Sequence, residues 1–68
     1  MTVASQIKQS LATLQSAHAT LRVYAEQSRE PESKSVFEDT AKATGEIIAD
    51  LEERLKILEF EEPQYKGL

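Results

Sequence analysis

The sequence predicts an all-α fold: an antiparallel two-helix hairpin that pairs with a second copy into a dimeric four-helix bundle. Three observations carry this. Apolar residues recur at alternating steps of three and four through two long stretches, a proline-containing break divides them, and no segment alternates apolar and polar residues as a half-buried strand would. The hairpin is expected over residues 1–62, with helices at about 3–28 and 31–62 and a turn at about 28–31, leaving residues 63–68 as a C-terminal tail.

In the first helix Ala4, Ile7, Leu11, Leu14, His18, Leu21 and Ala25 form a seam that repeats every seven residues. Val3, Ala17 and Tyr24 flank it on one side and widen it to the face of a globular bundle. Thr2 is placed to cap the helix. The break reads QSREPES. Pro31 has no N–H to donate and pushes Glu30 out of the helical region, yet proline suits the first turn of a new helix, and Glu32 suits the positive end of its dipole. The chain therefore turns and restarts. Phe37, Ala41, Thr44, Ile48, Leu51, Leu55 and Leu58 repeat the three-four spacing in the second helix, with Ile47 beside them, until Pro63 stops it.

Assembly follows from size. A chain of 68 residues with no cysteine has no disulfide or thiolate metal site to support a thin core, and one histidine cannot make a zinc cluster. A lone hairpin leaves one side of each stripe in water. The expected oligomer core is Ile7, Leu11, Leu14, His18 and Leu21 with Phe37, Thr44, Ile48, Leu51, Leu55 and Leu58, in a homodimer first, with trimers and tetramers open.

Charge bounds the partners. The net charge of −4 disfavours nucleic acid and acidic membrane surfaces, whose recognition rests on clustered Lys and Arg. No apolar run approaches the ~20 residues that span a bilayer, and MTVASQIKQS lacks an apolar core of signal-peptide length, so a soluble, cytoplasmic protein is expected. Along the second helix Glu38–Lys42, Asp50–Arg54 and Glu52–Lys56 stand four apart in favourable order. Among the first twenty residues, by contrast, Lys8 is the one Lys, Arg, Asp or Glu. That polar face is either simply solvated or a second contact surface with a low desolvation cost.

His18, the one histidine, is the residue with chemical potential. Di-iron bundles need Glu-x-x-His, but Gln15 stands three residues before His18 and no carboxylate occupies the seam. No nucleophile–base pair, glycine-rich phosphate loop or nucleotide motif is present, so no enzyme activity and no cofactor are expected. The alternative is a histidine phosphotransfer-type signalling module, for which HATLR places Arg22 one turn after His18. Position inside the stripe opposes it, because an acceptor must be reachable. The stronger reading is a core polar residue that fixes packing, near Ala41 and Thr44, with Thr44 as a hydrogen-bond partner. Gly45, costly in mid-helix by about 1 kcal/mol, marks a close backbone approach at nearly that level.

The two termini carry a resemblance. MTVASQIKQSLATL at the start and EFEEPQYKGL at the end resemble the domain of unknown function 1657 family, small proteins of endospore-forming Firmicutes, and the similarity runs through essentially the whole chain. The resemblance implies a spore-associated structural or accessory protein in the forespore or spore interior, with spore-membrane or other spore proteins as possible partners and a place peripheral to the spore inner membrane. It assigns no catalytic residue. Glu59, Glu61 and Glu62 lie at the unfavourable end of a helix dipole, where the start of the first helix and Lys8 are expected to offset them. Ile57, Phe60, Tyr65 and Leu68 are placed for a small cluster by tail fold-back, against the alternative of a frayed tail.

Overall fold

Helix α1 (Val3–Gln27) and helix α2 (Pro31–Glu61) make up the computed structural model, which describes residues 3–61, with side chains through Phe60. Their 25 and 31 residues span about 37 and 46 Å at ~1.5 Å per residue. No strand occurs among the described residues. The expected cap Thr2 and tail residues Tyr65 and Leu68 lie outside them.

The helices pack antiparallel. Lys8 meets Glu59, His18 meets Gly45, Tyr24 meets Phe37 and Lys34 meets Ala25, so partners run in opposite senses along the two chains of contact. The molecule measures 48 × 17 × 11 Å and is one helix thick in its thinnest direction. Such a layer has almost no interior. Among the described residues the buried apolar positions are Ala4, Leu11 and Ala25 on α1 and Ala41 and Ile48 on α2, and no large side chain is fully enclosed. Alanine at three of these five sites lets the helix axes approach closely.

The link is Ser28–Glu30, and each of its neighbours is tied down. Ser28 N–H still donates to Tyr24 O at 2.9 Å, completing α1. Glu30 opens α2: its carbonyl accepts from Lys34 N–H at 2.9 Å, and its carboxylate accepts from the Ser33 hydroxyl at 3.3 Å. Glu30 and Glu32 put negative charge at the positive end of the α2 dipole. The last turn of α1 holds no basic residue of its own. Lys34 supplies one from across the turn, donating through Nζ to Ala25 O at 3.0 Å. At the other end of the pair Lys8 Nζ stands 3.0 Å from Glu59 Oε2, so α1 does offset a misplaced carboxylate of α2. With side chains 43% and 25% exposed, that ion pair contributes about 1 kcal/mol at most. Of the three sequence-spaced pairs on α2, Asp50–Arg54 is closed at 2.9 Å.

Lys34→Met tests the turn. Methionine keeps an aliphatic stem but leaves Ala25 O without its donor and the α1 C-terminus without its counter-charge. The expected loss is about 1 kcal/mol, read as a lower urea midpoint at unchanged slope, while Lys42→Met on the exposed side of α2 should move stability by less than about 0.5 kcal/mol. Equal midpoints for the two variants would remove Lys34 from this role.

Candidate functional site

His18 sits partly buried midway along α1, and its ring lies against the α2 backbone. A Cβ built on Gly45 would stand 3.3 Å from His18 Nε2, 3.8 Å from Cε1 and 3.9 Å from Cδ2. Gly45 is thus the gap that admits the imidazole, the close approach its mid-helix position implies. The expected partner Thr44 is turned to its own helix instead: its hydroxyl donates to Thr40 O at 2.8 Å. A threonine in a helix reaches the carbonyl four residues back more readily than a group across the pair. At seven-residue spacing the gap is singular, since Glu38, Gly45, Glu52 and Glu59 follow one another along α2.

As a chemical group His18 has little around it. Its Nε2 edge faces the helix pair, where a phosphoryl donor has poor access, and Arg22 lies exposed one turn on. No group of three or more His, Cys, Asp or Glu residues among those described could hold a metal ion.

The residues expected to form an oligomer core fall into two depths. Leu11 and Ile48 are buried within the single hairpin. Ile7, Leu14, His18, Leu21, Phe37, Thr44, Leu51, Leu55 and Leu58 are only partly buried. Of the residues considered for a tail cluster, Ile57 is 50% and Phe60 88% exposed.

The two broad faces of the hairpin differ in charge. One is marked by the Lys8–Glu59 pair and continues, at seven-residue spacing, through Gln15 and Arg22 on α1 and Glu52 and Glu38 on α2. The other is fixed at both ends by contacts. At the open end Val3, Ile7, Ser10 and Leu51 line a shallow groove between the helices. At the turn end the Tyr24 and Phe37 rings lie 5.5 Å apart at a tilt of 58°, within the separation at which aromatic pairs attract. Between them the same spacing places Leu14, Ala17 and Leu21 on α1 and Thr44 on α2, with Ile47 one turn from both Thr44 and Leu51. None of these side chains is charged. The charges nearest this face are Arg54, seven residues after Ile47 and paired with Asp50 at 2.9 Å, and Glu30 and Glu32 beside Phe37 at the turn.

The outer side of α1 keeps its polarity to itself. Thr13 donates to Gln9 O at 3.2 Å and Thr20 to Ser16 O at 3.1 Å, while Gln6, Gln9 and Ser16 are exposed. Lys34 is the contact residue that the three-four reading passed over. Its signal was present, because it stands seven before Ala41 and so continues the buried series toward the turn.

A double-mutant cycle measures the His18–Gly45 contact. Gly45→Ala alone should fall short of the helix-propensity gain of about 1 kcal/mol, because the new methyl crowds the ring; in a His18→Ala background it should yield the full gain. Denaturant melts of the four proteins at one concentration give the coupling, expected near 0.5–1 kcal/mol. A coupling of zero would mean that ring and backbone gap are independent.

No helix among the described residues is long and apolar enough to cross a membrane. No curated protein and no solved structure matches this chain. A family described as "Protein of unknown function (DUF1657)" matches residues 7–55, well over half of the sequence and both faces of the hairpin just described. The chain is a member of that family.

Proposed function

We propose that the protein is a non-catalytic helical subunit that assembles with itself, as a homodimer closing a four-helix bundle, and works through protein–protein contacts as a structural or accessory protein of the spore. One observation carries the assembly: among the described residues five apolar positions reach burial, while Leu14, Leu21, Leu51, Leu55 and Leu58 of the stripe keep part of their surface in water. Ordering about sixty residues costs on the order of 100 kcal/mol, and a single line of helix contact offsets too little of it. A second copy supplies the missing apolar area. The spore setting rests on the resemblance of the two termini to proteins of spore-forming bacteria.

Sedimentation equilibrium at micromolar concentration should give twice the chain mass, with a melting temperature that rises with protein concentration. A cooperative melt of a monomer would overturn the assembly. Incubation with phosphoramidate followed by intact-mass measurement should leave the chain unmodified; a phosphorylated species that disappears in His18→Ala would make the protein a phosphotransfer module instead. Antibody detection in fractionated sporulating cells should find it in forespores and spores, and its confinement to vegetative cells would overturn the setting.

A further inference from the structure

The hairpin has two faces, and self-assembly alone does not say which one the second copy covers. We infer that it covers the uncharged face, the one bounded by the Val3–Ile7–Leu51 groove and the Tyr24–Phe37 pair, and leaves the Lys8–Glu59 face to solvent. This rests on the self-assembly reading and adds the surface to it.

Charge decides the occupant. A surface that offers no Lys, Arg, Asp or Glu between Val3 and Tyr24 on α1 gives a charged partner nothing to pair with, and burying an unpaired charge against it is costly. Its complement must itself be uncharged and apolar. The chain carries such a surface, namely the same face on another copy, so the contact is isologous and closes as a dimer. Area agrees. A layer of 48 × 17 Å presents about 800 Å² per side, near the share of each partner in a standard stable interface. The opposite face has the same area but fails the charge criterion. Two copies joined there would have to take Glu38, Glu52 and Glu59 with Lys8, Arg22, Lys42 and Lys56 of each chain out of water, a desolvation cost that pairing need not repay.

Exposure supplies a test that spares the hairpin. Ala17 and Ile47 stand on the uncharged face and are exposed in the single chain, Ile47 by 53%, so a charge there does not disturb α1–α2 packing. Gln15, also exposed, lies on the other face, seven residues from both Lys8 and Arg22. Ala17→Glu and Ile47→Glu should each weaken dimerisation at least about tenfold in sedimentation equilibrium, with helical circular dichroism retained, while Gln15→Glu should match the parent. For the unmodified chain, a soluble paramagnetic relaxation agent should affect the Leu14, Leu21 and Leu51 methyls less as concentration rises through the dimerisation range. The Ala19 and Ala49 methyls should not change. This second measurement stands even if a variant unfolds. A parent chain that stays monomeric sinks the self-assembly reading itself. A dimeric parent whose Ala17→Glu and Ile47→Glu variants dimerise normally, or whose Gln15→Glu variant dissociates equally, sinks only the choice of face.

Discussion

The line of contact between α1 and α2 is one side chain wide, and the rest of the molecule is arranged around that limit. Ala4, Leu11, Ala25, Ala41 and Ile48 fill it, and among the described residues every other apolar side chain keeps more of its surface in water. With so little apolar burial, each contact that fixes one helix against the other has a large relative effect. Three contacts made by polar side chains are distributed along the line. Lys34 reaches Ala25 O at the turn, the His18 ring lies over Gly45 in the middle, and Lys8 meets Glu59 at the open end.

These contacts do different work. The end contacts are electrostatic and tolerant, because a lysine is a point charge on a flexible stem. A slip of seven residues along α2 would still find Lys8 a glutamate, Glu52 in place of Glu59. The central contact is steric and intolerant. The same slip would set the imidazole against the side chain of Glu38 or Glu52 where Gly45 now leaves room. Gly45 weakens α2 locally as an isolated helix and in exchange specifies its register, which apolar seams with a strict seven-residue period do poorly by themselves.

Much of this was legible in the chain. The seven-residue spacing and Pro31 are local signals, and they determine two helices and a reversal whatever the surroundings. Gly45 was readable too, since a mid-helix glycine opposite a lone histidine is locally unfavourable unless something approaches closely. Lys34 to Ala25 O was harder: the bond joins residues nine apart across a turn, and it exists only once two helix ends are set in space. Thr44 as a partner for His18 illustrates a different failure. Counting from the turn gave the right level on α2 but not the rotation of the helix, and one position of rotation exchanges a hydroxyl for a backbone gap. The division into a charged and an uncharged face has the same origin. A sequence stripe is a single list of residues, whereas packing splits it into those spent between the helices and those left outside.

That split also bears on what sort of protein this is. A preorganised polar site is held in place by a surrounding shell of side chains, and the described residues form a layer one helix thick. His18, the side chain best suited to chemistry, is used to set the register of two helices. The side chains left over are apolar and small polar ones spread evenly over a flat face some 48 Å long, which suits shape matching over a wide area rather than selection of a small molecule. The same features that leave the described residues without an interior are those on which the proposed self-assembly rests.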